Sequence, residues 1–228
     1  MITAKEIVKD LKEIADPVFH AGLSRFGINS EAALGIKIPV LRDYAKHLKK
    51  NHELALQLWD SKVHEARLLA IFIADHKQVT EELMEKWVKD FSSWDICDQA
   101  CGLFDKTPFA FQKAVEWSKR KNEFEKRAGF AMMATLAVHD KKSNDKKFIS
   151  FFPLLEKEAH DERNFVKKAI NWALRQIGKR NLNLNNEAIA CGERIKLQQS
   201  KSAKWIAADA LRELNSEAVM GRLRAKLK

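Results

Sequence analysis

Trp94 and Asp98 sit four residues apart in the segment FSSWDICDQACGLF, residues Phe91 to Phe104. At about 100° per residue, Ile96, Ala100, Leu103 and Phe104 share one arc, which is the core side of a helix. Trp94, Asp98 and Gly102 fall on the opposite flank, one turn apart in each case. A large aromatic and a carboxylate aimed together away from the core suggest a site. Gly102 weakens the helix but leaves room beside them. Ser92 is expected to cap the helix, with Asp95 three residues on as its capping-box partner. The same pattern also suits a half-buried Trp that covers a neighbouring repeat, with a solvated Asp beside it.

A second constellation lies in ERNFVKKAINWALRQIGKR, Glu162 to Arg180. Val166, Ile170, Ala173 and Ile177 form the apolar arc, while Lys168, Trp172, Arg175 and Lys179 line a separate one. From Arg163 to Arg180 there are six basic residues and no acidic one. Cations in such a row can grip phosphates while the aromatic ring offers a face to a sugar or base. Arg127 is a third element. It opens KRAGFAMMATLAVHD, a helix apolar almost all round, where an isolated guanidinium needs a phosphate or a carboxylate such as Asp98. A structural salt bridge would satisfy it equally. Cys97 and Cys101 have helical spacing but no neighbouring His to complete a zinc site, and His47, His52 and His64 form no ligand pattern. There is no phosphate-binding Gly loop and no nucleophile elbow, so neither a metal nor a cofactor is expected.

The elements that would position these residues are helices. Expected spans are Leu41–Lys50, His52–Trp59, Val63–Asp75, Glu81–Phe91, Ser93–Phe104, Phe109–Lys119, Glu123–Val138, Asp145–Glu158, Glu162–Ile177, Asn186–Gln198, Ala203–Leu214 and Ser216–Leu227. They come in pairs whose second members begin near 63, 93, 124, 162 and 203, a period suited to a helical solenoid. The expected fold class is therefore all-α, an α-α superhelix of repeats, with residues 1–228 forming a single domain. Basic residues recur early in the second helices at Arg67, Arg127, Lys168 and Lys204. Stacked pairs would arrange them as a ladder along one concave face.

Composition agrees with an ordered chain: 228 residues, 46% apolar and 32% charged, with only eight Gly and four Pro. The net charge of +10 points to a polyanionic partner, nucleic acid before a membrane surface. Three cysteines imply no disulfide framework. The opening MITAKEIVKDLKEIA mixes charge with apolar residues, so no secretory segment is expected, and the run Ala128–Val138 is too short to cross a bilayer. A cytoplasmic monomer is expected, associated with the nucleoid if the source is bacterial.

These residues together carry a resemblance. From Gly35-Ile36-Lys37-Ile38-Pro39 through SSWDICDQ, KRAGFA and FVKKAINWALRQIGKRN, the chain resembles the DNA alkylation repair family of HEAT-like repeat proteins, the AlkD-type glycosylases. The resemblance implies that Trp94, Asp98, Arg127 and Trp172 face the DNA, with Arg175 close by. It implies catalytic roles for Trp94, Asp98 and Trp172. Phosphate contacts then fall to Arg127, Lys168, Arg175, Lys179, Arg180, Arg67 and Lys204. The implied activity is hydrolysis of N3- or N7-alkylated purines from duplex DNA by a monofunctional glycosylase without a closed pocket for the flipped base. Where active members carry two consecutive Trp before the first Asp, this chain has Ser93-Trp94. The family also contains non-catalytic binders of distorted or branched DNA. A helical scaffold for an acidic protein is a third reading of the same charge.

Overall fold

The computed structural model describes residues 2–28 and 31–225. Every regular element among them is helical, and the chain divides into two compact units, Met1–Thr107 and Pro108–Lys228. The first holds α1 (Ala4–Glu13), α2 (Pro17–Gly22), α3 (Ile38–Leu48), α4 (His52–Asp60), α5 (His64–Ile73), α6 (Glu81–Lys89) and α7 (Trp94–Phe104). The second holds α8 (Ala110–Trp117), α9 (Glu123–His139), α10 (Asp145–Ile149), α11 (Phe152–Glu158), α12 (Asn164–Gly178), α13 (Leu182–Lys196), α14 (Lys201–Leu214) and α15 (Glu217–Ala225).

The expected second members of each pair are α5, α7, α9, α12 and α14, beginning at 64, 94, 123, 164 and 201. Several boundaries differ from expectation for local reasons. The expected helix 145–158 is two, because Pro153 lacks an N–H and its ring clashes with the carbonyl of Ile149, where α10 ends. Helix α13 starts four residues early, since the Asn181 side chain accepts the Leu184 N–H at 2.8 Å and draws the Asn-rich stretch into the first turn. Ser93, not Ser92, is the N-cap of α7. Helices α1 and α2 were not among the expected elements. The end of the last expected helix, beyond residue 225, lies outside the described residues.

Within the second unit, consecutive second helices run parallel. The Phe124 and Phe165 rings (5.4 Å) join the starts of α9 and α12, while Arg180, just past the end of α12, donates to the Ala137 carbonyl near the end of α9. Likewise Lys167 lies over Trp205 near the starts of α12 and α14, and Lys179 meets Glu213 near their ends. In the first unit, His64 bonds Asp95 between the first turns of α5 and α7. Close approach is built in by composition: a Cβ on Gly129 of α9 would lie 2.2 Å from the Ser118 backbone nitrogen at the end of α8. Backbone cannot rotate away, so Gly129→Ala should cost about 1–3 kcal/mol, read as a lowered midpoint in urea unfolding.

The buried aromatics fill both cores. Trp59 and Trp87 stack at 4.0 Å in the first unit, and Phe111, Phe148 and Phe151 cluster in the second. Of the six tryptophans, Trp59, Trp87 and Trp117 are fully buried. Trp94, Trp172 and Trp205 retain exposed surface.

Candidate functional site

Trp94 is the first residue of α7, and its ring is set by two contacts. It packs against Leu23, Ile28 and Ala33 alongside Phe19, and its Nε1–H donates to the Phe26 carbonyl at 2.9 Å. The indole is therefore half-buried and anchored at both its ring and its Nε1–H. Asp98 follows one turn later, half-buried, while Ile96, Ala100, Leu103 and Phe104 are buried as expected. A Cβ on Gly102 would meet nothing within 4 Å, so the space beside the pair is open. Two cations not singled out in the sequence lie in this unit near α7. Arg42 covers the Phe72 ring and donates to Gln99, the neighbour of Asp98 (2.8 Å), and Lys37 sits over Phe19.

The start of α7 is anchored underneath. Asp95 is not a capping-box acid but a buried one, with Oδ2 2.9 Å from His64 Nε2 and Oδ1 accepting the Ile96 N–H at 2.9 Å. Burial alone would raise its pKa; the bond to His64 and the charge His64 carries when protonated outweigh that, and the net shift is downward. Next to His64, the buried Glu65 carboxylate accepts the N–H groups of Leu34, Gly35 and Ile36 at 2.8, 2.8 and 3.2 Å. Gly35 in that loop has φ +81°, and a Cβ there would lie 2.4 Å from the Asp16 carbonyl oxygen. Loop, α5 and α7 are thus fixed to one another beneath Trp94.

In the second unit, α12 shows the expected stripe, with Lys168 exposed and Trp172, Arg175 and Lys179 half-buried. Its acid-free run is completed from α14. Glu213 pairs with both Arg175 and Lys179, and Asp209 approaches Arg175 at 3.7 Å. Burial would raise the Glu213 pKa, but the hydrogen bonds from Lys179 and Arg175 hold it below the usual range. These acids moderate the field of the stripe. Glu213→Gln should therefore tighten DNA binding several-fold at low salt and steepen its salt dependence, measured by fluorescence anisotropy. Lys204 is exposed, and beside it Trp205 is 41% exposed with Lys167 5.4 Å from its ring centroid. The sequence signal for Trp205 is a Trp near the start of a second helix, directly after Lys204.

The remaining basic residues are tied into the helix stack. Arg67 donates to the Trp59 and Asp90 carbonyls and reaches the Asp90 carboxylate at 3.3 Å while lying over the Trp59 ring. Arg127 is buried, with Nη1 donating to the Phe165 carbonyl at 2.7 Å. Arg180 donates to Ala137 and lies 3.9 Å from the Phe148 ring centroid. Lys168 and Lys204 thus keep an open surface position, whereas Arg67 and Arg127 brace adjacent helices.

The sequence profile of the DNA alkylation repair enzyme family matches residues 7–214. The chain belongs to that family. A solved structure, described as a new family of proteins related to the HEAT-like repeat DNA glycosylases with affinity for branched DNA structures, has a TM-score of 0.75. It is 19% identical, and the match covers 93% of this chain and 95% of that one. A designed armadillo repeat protein matches at TM-score 0.37 and 16% identity, over 78% of this chain and 92% of its own. A comparison with curated proteins gives no match. The fold class is therefore the expected one, all-α with HEAT-like helical repeats. The position before Trp94 holds Ser93, which is 1% exposed and takes the N-cap of α7. Among the described residues no group of His, Cys, Asp or Glu is placed to hold a metal ion, and no helix is long and apolar enough to cross a membrane.

Proposed function

We propose that the protein hydrolyses the N-glycosidic bond of N3- or N7-alkylated purines in duplex DNA. The observation that supports this best is the half-exposed pair on α7, an indole held by the Phe26 carbonyl and a carboxylate one turn away, with open space at Gly102. Alkylation gives the purine a positive charge, so the base leaves with the bond's electron pair and becomes neutral. What remains is an oxocarbenium-like sugar, which water attacks at C1′ with loss of a proton. The Trp94 face stabilises that cation, and the Asp98 carboxylate adds negative charge and receives or directs the water's proton. In the second unit, Trp172 serves as a further aromatic face and Lys168 as a phosphate contact. None of these roles requires a pocket that encloses the base.

The test is release of base from duplexes carrying N7-methylguanine or N3-methyladenine. Release well above spontaneous depurination is expected, and release at the spontaneous rate overturns the reading. A second reading, a non-catalytic binder of branched or distorted DNA, is favoured by Ser93 in place of the first Trp and by the affinity described for the structural neighbour. It predicts no base release, with tighter binding to a junction than to a linear duplex.

A further inference from the structure

The second unit contains a polar cavity of about 500 Å³. Lys141, Ser143, Gln176, Lys179, Arg180 and Arg222 line it, brought together from the segment after α9, the end of α12 and α15. We propose that this cavity is a phosphate-binding site, and that its occupant is a backbone phosphodiester of the DNA strand that passes Trp172. The inference rests on the DNA reading above, but not on base excision.

Charge is the first argument. Four cations line the cavity; Lys179 is paired with Glu213 outside the lining, which leaves three against one lining carboxylate, Asp145, itself accepting the side-chain amides of Asn181 and Asn183, both at 2.8 Å. The second is preorganisation. Arg180 is held by the Ala137 carbonyl and the Phe148 ring, and Lys179 by Glu213, so both charged groups are in place before a ligand arrives. Lys141 and Arg222 are exposed and lie at the rim, Arg222 with its Nε–H on the Ala218 carbonyl at 3.0 Å, and Ser143 and Gln176 add neutral donors. The third is the helix end: Asn181, which also lines the cavity, is the N-cap of α13, whose positive dipole end lies there.

Position is the fourth argument. Gln176 lies one turn beyond Trp172 on α12, and Lys179 lies about 10 Å along the axis from Trp172 at about 1.5 Å per residue. With about 3.4 Å of rise per nucleotide in a strand, that is about three steps. A strand whose sugar faces Trp172 would then present a phosphate to the cavity, which would fix its register.

Lys141→Glu and Arg222→Glu in the full chain test this, because both side chains are exposed and their loss leaves the core intact. Anisotropy with duplex DNA should show each variant weakened about ten-fold at low salt, with the slope of log K against log salt reduced by about one. A duplex with a single methylphosphonate should lose the same affinity at one position only, and that loss should vanish in Arg222→Glu. Lys157→Glu on α11 is the charge-matched control outside the cavity. If Lys141→Glu and Arg222→Glu bind DNA as Lys157→Glu does, the assignment to DNA is overturned. Calorimetry with inorganic phosphate separates the sources: phosphate uptake lost in Arg222→Glu while DNA binding is unchanged assigns the cavity to a free phosphate instead. No response in either assay overturns the site. Failure of base release alone leaves these binding measurements standing, so the two proposals fail separately.

Discussion

Asp98→Asn should lower base release by about 100- to 1000-fold while duplex binding stays within about two-fold of the native protein. The substitution keeps size and shape on a half-buried, mid-helix position, so α7 should persist unchanged. What it removes is one negative charge and one proton acceptor. Electrostatic stabilisation of a developing charge and general base assistance each contribute on the order of 10² or more in rate. Neither interaction exists in the ground-state complex with intact sugar, and a carboxylate near DNA opposes phosphate binding. The loss should therefore fall on the single-turnover rate constant and not on affinity. Single-turnover assays with N7-methylguanine duplex at several enzyme concentrations separate the two. A rate constant within three-fold of native would remove Asp98 from the chemistry.

Much of this was legible in residue spacing, because amphipathic helices encode their core side directly. Ile96, Ala100, Leu103 and Phe104 were assigned to the core from an arc, and all four are buried. The same arc left Trp94, Asp98 and Gly102 outward. The pairing of helices was readable from stop signals, since Asn, Ser-Asn and Thr-Pro clusters interrupt the periodicity where the turns lie. Helix α1 carries a local signal of its own: Thr3 and Glu6 form a capping box, with the Thr3 N–H donating to Glu6 at 2.7 Å.

What residue spacing does not carry is a partner that comes from another helix. Arg163 to Arg180 contains six basic residues and no acid in sequence, yet Glu213 and Asp209, more than thirty residues from the cations they pair with, supply the acids. Asp95 looked like a local cap because a capping box is a local motif. Its partner, His64, lies thirty-one residues earlier and meets it because α5 and α7 pack together. Arg67 and Arg127 share a register in the sequence with exposed lysines, but neighbouring backbone carbonyls at Asp90 and Phe165 take up their donors. One-dimensional periodicity finds which face of a helix is outward; it does not report what a neighbouring helix places on that face.

The buried pair beneath Trp94 gives the second large effect, this time on stability. His64→Ala should strand the Asp95 carboxylate, which is 4% exposed, and cost about 3–5 kcal/mol near neutral pH. For a chain of this size that is about 10 °C in melting temperature. The pH dependence has a defined sign. Burial raises the Asp95 pKa and the His64 interaction lowers it, with a net value below the ordinary one. A depressed carboxylate binds its proton more weakly folded than unfolded, so its contribution is complete above the unfolded pKa, near 4, and is lost as pH falls through the folded value. Asp95→Asn keeps the shape and removes that titration, so its melting temperature should be lowered less than in His64→Ala and should fall less steeply between about pH 5 and pH 2. Thermal melts of the three proteins across pH 2–8 measure both effects. Because the pair fixes the first turn of α7 against α5, the same His64→Ala variant, assayed well below its melting temperature, should also release base more slowly. A melting temperature within about 2 °C of native at pH 7 would show that the His64–Asp95 bond does not hold this corner of the fold.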